Sequence, residues 1–543
     1  MKLPAFKNVF LLIFCMAVIC YFALSSVFED IQAIFPIFFS GSATQGNPLN
    51  IFNYTTHFLL AEVYMKLYIL QGKCPWFELV MYAYVVVSLF VVLKVMLERN
   101  NSRVVKGLVL ITCLFFFSEL TVVFQYTRIA FALGISSTLL WTHKSSNKRF
   151  YYLFSSLLFL IALLTRWEVG LFVVLIQWLL IAVNPQLITK PAVWLNTLFF
   201  AMVFGYISYE RATATGYTEI LQQELGYQLE RGNIVSLSAM TTAVDSVKYI
   251  SVLNLISDPD YITLGFIKGI LREDLYKGLS KELVFRCLSV LTDIAAQAIG
   301  FLLIYGLLLT VVLTQQFKRN RTLFWRLVLF NTTVVALEFI ITYYIKMESR
   351  QFNPTLIFMC LLLLLWLDFS ALKNSTAILV TFISFLVCGL IIQYKLQQEY
   401  VIDLKNTTEN NNVFRQIVVE KCGHKILVPD LRFSQSMIGY IRPIQYPDYS
   451  AFHRLYLFDF DVLYLEKNYN GYLHKECNCN AGSYTELMDF FVSKKDSVVW
   501  VSTPQRISAI IDYCHTVRHK DYQFSIVDSV QGGGAKAFIY SMD

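Results

Sequence analysis

The chain has 543 residues, 56% of them hydrophobic, 16% aromatic and 15% charged, with a formal net charge of +7 and a mean hydropathy of +0.54. This is too apolar for an ordinary soluble protein of such length and points to a polytopic membrane protein. The positive charge is no sign of nucleic-acid binding, because Lys and Arg are divided among short connections and form no single basic stripe.

A bilayer core of roughly 30 Å takes about 20 helical residues per crossing. Apolar spans are expected at residues 8–28, 77–97, 104–120, 126–142, 150–165, 169–183, 191–209, 291–315, 327–345, 354–369 and 376–396, about eleven in all. Several are short, as tilted or broken helices are, which a membrane tolerates where protein covers the freed backbone groups. The first follows Lys2 and Lys7 in the manner of a secretory signal. Its run VFLLIFCMAVICYFALSSVF is nevertheless long enough to cross, and no small-residue cleavage pattern precedes the acids at its end, so it is expected to be retained.

With the N-terminus inside, the cytoplasmic loops hold Arg99, Arg103 and Lys106, then Lys144, Lys148 and Arg149, then Lys190, then Lys318, Arg319, Arg321 and Arg326, then Lys373. An odd number of spans leaves the tail from residue 398 outside the cytoplasm. The fold expected is therefore a polytopic α-helical membrane domain, residues 1–397, with outer loops 29–76 and 210–290, followed by a soluble extracytoplasmic domain, residues 398–543.

Glu29 and Asp30 close the first span at the outer boundary, where partial desolvation raises a carboxyl pKa and suits one acid to general-base work. Acids that merely end a span are the plainer reading, and what shifts it is the company they keep. In the first outer loop, Asn53 to Gln71 mixes Leu, Val and Tyr with Glu62 and Lys66, which suits a helix lying at the interface or over the bundle. Glu119, Tyr126 and Arg128 follow on the same face, and Arg166, Trp167 and Glu168 interrupt two apolar runs there.

The second outer loop carries YTEILQQELGYQLERG and DPDYITLGFIKGILREDLYKGLSKELVFR, polar runs with helical periodicity. Short helices over the outer surface are expected, broken near Gly232 and at Asp258-Pro259. Late in the bundle, IKMESRQFNP brings Lys346, Glu348 and Arg350 to the same face. Guanidinium forks match phosphate oxygens in two-point contacts, so basic groups from separate connections could hold a diphosphate at the interface. For Arg166 an ion pair with Glu168 is an equally simple reading. For Arg350 the phosphate role is preferred.

In the tail, HKILVPD and DSVVWVSTP read as strands, RISAIIDYCHTVR as an amphipathic helix, and FSIVDSV with AKAFIYSMD as a terminal hairpin around Gly532 to Gly534. Strands interleaved with helices make a small α/β domain. The glycines lack the lysine and helix-opening context of a phosphate loop, and a plain turn is expected. Outside the cytoplasm Cys422, Cys477, Cys479 and Cys514 are expected as one or two disulfides or as buried thiols, in preference to a zinc site with His474, His515 and His519.

An acidic pair after the first span, a long first outer loop with an interfacial helix, and a late basic-aromatic motif before a span together resemble the GT-C superfamily of integral-membrane glycosyltransferases. Glu29-Asp30 is similar to the family's acidic motif with the order reversed from a common version. Arg350-Gln351-Phe352-Asn353-Pro354 resembles its late Arg-Tyr-x-x-Pro element, with Phe in place of Tyr. Leu164-Thr165-Arg166-Trp167-Glu168-Val169-Gly170 is similar to a stretch in which a basic residue sits between two helices. The resemblance covers about residues 1 to 400.

The resemblance implies transfer of a sugar from a polyprenyl-phosphate or polyprenyl-diphosphate donor to a glycan, lipid or protein acceptor on the extracytoplasmic face, in synthesis of a cell-surface glycan or glycoconjugate. It makes Asp30 the leading catalytic base and Glu29 the alternate. Arg350, Arg166, Lys346 and Arg128 would bind the lipid phosphate and stabilise charge on the leaving group. Some members use a divalent metal and others do not, and two adjacent acids are too few oxygen ligands to decide, so no metal ligand is assigned. The inner or plasma membrane is the expected location, with membrane lipid as a further partner and nucleic acid as none.

Two other enzymatic or transport readings remain. A polymerase of lipid-linked polysaccharide repeats would share the outward arginines, although loop 210–290 has no Arg-rich pattern. A lipid-sugar flippase or transporter would favour ionisable groups deep within spans, where Glu338 is the main acid. A non-catalytic scaffold presenting its tail would tolerate neutral replacement of Asp30 and Arg350.

Overall fold

The computed structural model describes residues 3–28, 58–71, 74–99, 102–143, 148–213, 242–253, 261–263, 266, 281–344, 349–368, 376–429, 484–532 and 534–542. The first half is a helical bundle of α1 (Leu3–Ser25), α2 (Phe58–Leu70), α3 (Trp76–Arg99), α4 (Arg103–Val122), α5 (Tyr126–Thr142), α6 (Lys148–Thr165), α7 (Trp167–Val183) and α8 (Pro191–Thr213). It continues with α9 (Ala243–Leu253), α10 (Lys281–Gln297), α11 (Ile299–Arg319), α12 (Arg321–Tyr344), α13 (Ser349–Trp366) and α14 (Thr376–Cys422).

Among the described residues seven helices are long and apolar enough to cross a membrane: Lys7–Ser25, Trp76–Arg99, Arg103–Val122, Pro191–Tyr209, Ile299–Arg319, Arg321–Ile340 and Val380–Cys422. The other expected spans also fall on helices, α5, α6, α7 and α13, of 17 or 18 residues each. Shortness is tolerable for α5 because it is buried from Tyr126 to Trp141, packed among α3, α6, α7 and α13. A helix covered on every side exposes few free backbone groups to lipid. Its hydroxyls are also satisfied internally, with Ser137 and Ser155 3.1 Å apart and Thr138 Oγ1 accepting from Gln177 Nε2 at 3.3 Å.

The expected span 291–315 is corrected at its start. The helix breaks at Ala298 (φ −108°, ψ 13°), so that α10 ends at Gln297 and the long apolar helix begins at Ile299. Gly300 then meets α14 closely: a Cβ there would lie 2.5 Å from the Gly389 carbonyl oxygen. Small residues let helix backbones approach in this way.

α2 covers the bundle, burying Leu60, Ala61, Tyr64 and Tyr68, and the Tyr64 and Phe77 rings meet edge to face at 5.3 Å. The stretch YTEILQQELGYQLERG, Gly232 and Asp258-Pro259 lie outside the described residues.

Beyond the bundle, α14 runs 47 residues without a break, across residue 397, about 70 Å at the helical rise. Four strands follow: β3 (Ile426–Pro429), β4 (Val498–Ser502), β5 (Phe524–Gly532) and β6 (Ala535–Met542), in the order β3-β4-β6-β5. β3 and β4 are parallel, while β4 with β6 and β5 with β6 are antiparallel. Gly534, with φ 77°, supplies the left-handed residue of the β5–β6 turn. Between the strands lie α15 (Tyr484–Ser493) and α16 (Pro504–Arg518), the latter capped by Thr503, whose side chain accepts from the Arg506 amide.

The sheet is tied to α14, where Lys421 Nζ is 2.9 Å from Asp528 Oδ2 and donates to Ser529 O at 2.6 Å. This tail is also tied to the segment between α8 and α10, since α9 packs on α16 and the Arg518 guanidinium lies 5.2 Å from the Tyr261 ring centroid. Cys422 and Cys514 are buried thiols. Cys477, Cys479 and His474 lie outside the described residues.

Candidate functional site

The end of the first span is fixed by a short ladder. Past α1, Ser26 Oγ donates to Ala23 O at 2.7 Å and lies 2.5 Å from the Tyr82 hydroxyl. β1 (Val27–Phe28) then pairs in parallel with β2 (Val123–Phe124), Val27 opposite Val123 and Phe28 opposite Phe124. Val27, Val122 and Val123 pack on Val401 of α14, so the long helix braces this ladder. Glu29 and Asp30 lie outside the described residues, and the chain reaches them directly from Phe28.

β2 leads into α5 through Gln125, whose side-chain oxygen accepts from the Arg128 amide at 3.2 Å. Arg128 turns back toward α4. Its Nη1 donates to Glu119 Oε1 at 2.8 Å and lies 3.4 Å from the Glu119 carbonyl oxygen. Both side chains are buried, at 1% and 4% exposure. Burial of one partner alone would be costly, so the pair holds together as a unit. Arg128, expected as a phosphate ligand, is thus committed to a protein carboxylate.

The late motif arrives at the same carboxylate. Asn353 Nδ2 donates to Glu119 Oε1 at 2.9 Å, and Asn353 is buried. Arg350 is the second residue of the same helix, three positions before Asn353. Lys346 and Glu348 lie outside the described residues, as does the side chain of Arg350.

Arg166 stands at the junction of α6 and α7. Its Nη1 donates to the Tyr126 hydroxyl at 3.0 Å, its guanidinium carbon is 5.5 Å from the Tyr126 ring centroid, and its Nε is 2.9 Å from Glu168 Oε2. Arg166 and Glu168 keep 17% and 23% of their side-chain surface exposed, so both readings of Arg166 meet here: it pairs with Glu168 and still reaches solvent. A guanidinium held by a tyrosine hydroxyl and a carboxylate keeps a fixed orientation.

From the sequence, Glu119 and Tyr126 are grouped with the candidate residues without a task for either, and Asn353 is one letter of a motif. The signal for Glu119 was an acid in the last turn of an apolar helix with an arginine nine residues on. Among the described residues no three His, Cys, Asp or Glu side chains gather as a metal site requires.

No family model matches the chain, and no curated protein matches it in sequence. A crystal structure of ArnT from Cupriavidus metallidurans bound to undecaprenyl phosphate is similar to it at 11% identity and a TM-score of 0.37, over 98% of this chain and 97% of that one.

Proposed function

We propose that the protein is a membrane glycosyltransferase that moves a sugar from a polyprenyl-phosphate-linked donor to an acceptor on the extracytoplasmic face, with its N-terminus inside and the tail from residue 398 outside as a separate domain. The observation that carries this reading is the β1–β2 ladder. It sets the last residues before Glu29 and Asp30 beside the strand that leads to Tyr126 and Arg128, and thereby beside Arg166 and the helix of Arg350. The three segments that resemble the GT-C motifs are far apart in sequence, and contacts among their described neighbours, Val27 with Val123, Arg166 with Tyr126 and Asn353 with Glu119, support a shared site.

Asp30, with Glu29 as the alternate, takes the proton from the acceptor nucleophile as that atom attacks the anomeric carbon. The bond from the anomeric carbon to the phosphate oxygen breaks, and the electron pair leaves with the polyprenyl phosphate. Arg350, Lys346 and Arg166 hold that phosphate and stabilise its added charge. Arg128, the fourth basic residue of the set, is engaged by Glu119. Proteoliposomes given a radiolabelled polyprenyl-phosphate sugar and a glycan or lipid acceptor test the reading. Label recovered on the acceptor supports transfer, whereas label that crosses the bilayer still on its lipid identifies a flippase.

A further inference from the structure

We propose that Asn353 and Glu119 are positioning residues that lock the first turn of α13, and with it Arg350, onto the donor-phosphate site. The proposal rests on the glycosyltransferase reading above and adds a mechanical requirement to it.

The first turn of α13 lacks one of its own hydrogen bonds. An α-helix bonds each N–H to the carbonyl four residues back, and residue 354 is a proline without an N–H. The Arg350 carbonyl therefore lacks the helical hydrogen bond that would tie it to the next turn. The Gln351 carbonyl, one residue on, does receive an added bond, from Thr355 Oγ1 at 3.0 Å. The Asn353 amide on Glu119 at 2.9 Å adds a lateral tie to this weakened turn.

Packing alone would be better served by an apolar side chain at 353. Asn353 Oδ1 and Glu119 Oε2 are buried without a hydrogen-bond partner among the described residues, a cost that a leucine would avoid. A buried polar contact kept at a stability cost commonly sets register. Here it sets α13 against α4 and α5, at a carboxylate whose charge Arg128 already compensates. The bond is charge-assisted and so stronger than an amide contact to a neutral group.

The test is the affinity of purified full-length protein in detergent for undecaprenyl phosphate, compared among wild type, Asn353→Ala, Arg350→Ala and the double variant. Asn353→Ala leaves the Glu119–Arg128 pair intact, and if its folded yield falls, Asn353→Ser makes the same comparison with a polar side chain. We expect Asn353→Ala to weaken binding about tenfold, the scale of one hydrogen bond to a charged group. In the Arg350→Ala background the same change should cost less than about twofold, since residues that act through one another are not additive. Equal affinity of Asn353→Ala and wild type overturns this proposal and leaves the glycosyltransferase reading standing. Equal losses in both backgrounds also overturn it, because a general loosening of the bundle does not act through Arg350. A wild-type protein that binds no undecaprenyl phosphate sinks both.

Discussion

Asn353 donates to Glu119 across 2.9 Å, joining residues 234 positions apart through the carboxylate that neutralises Arg128. One buried anion thus serves two helices, and its removal should be felt in stability before it is felt in chemistry.

Glu119→Ala strands the Arg128 guanidinium in the bundle and is expected to destabilise the protein by about 3–5 kcal/mol. Replacing both residues with apolar ones of similar size, Glu119→Leu with Arg128→Met, should recover most of that loss. Thermal unfolding in detergent checks both outcomes.

Arg166 is expected to depend on its planar shape as well as its charge. Arg166→Lys keeps the cation but loses the guanidinium contacts with the Tyr126 ring and hydroxyl, and transfer should fall about tenfold, the upper range of a partly desolvated cation–π contact. Arg166→Ala should fall further, and Tyr126→Phe, which removes only the accepting hydroxyl, should fall least. Initial rates at subsaturating donor give the order.

Gly300 has no room for a side chain. Gly300→Ala places a methyl 2.5 Å from the Gly389 carbonyl, and Gly389 backbone cannot swing aside as a side chain would. A loss of about 1–3 kcal/mol is expected for overpacking at this crossing of α11 and α14, read as a lower thermal midpoint.

Much of this architecture was legible in the sequence because hydropathy reports burial in lipid directly. The tail strands were legible too, since ILVP and VVWVS are short apolar runs that end in turn residues. The break at Ala298 was not, as alanine is the strongest helix former and the residues on both sides are apolar. Nor was the continuation of α14 past residue 397, where LQQEYVIDLKNTTENNN looks like the start of a soluble domain although the helix simply leaves the bundle. Arg128 shows the deeper limit. Its partner lies nine residues back, but β2 reverses the local geometry between them, so no helical spacing connects the pair and only the tertiary fold does.

The tail carries a pH-sensitive contact away from the candidate site. Asp489 accepts from Lys520 Nζ at 2.8 and 2.9 Å and from the Tyr522 hydroxyl at 3.0 Å. Partial burial raises its pKa, but the hydrogen bonds from Lys520 and Tyr522 and the charges of Lys520 and Arg518 outweigh that and hold it below the usual carboxylate range. A carboxyl whose pKa is depressed on folding contributes stability that is complete above the unfolded value, about 3.9, and is lost as pH falls through the folded one. Hydrogen exchange over residues 484–532 should therefore quicken below about pH 4 in wild type, and Asp489→Asn should remove that dependence while exchanging faster at neutral pH.

The central claim is that Asp30 and Arg350 serve one sugar transfer in different roles. Transfer of radiolabelled sugar from a polyprenyl-phosphate donor by the purified protein, with Asp30→Asn and Arg350→Ala compared at equal folded yield, measures this most directly. Wild type should transfer, Asp30→Asn should bind lipid phosphate without transferring, and Arg350→Ala should bind it more weakly and transfer little. Full activity in both variants, or donor that crosses the bilayer without any transfer, would contradict it.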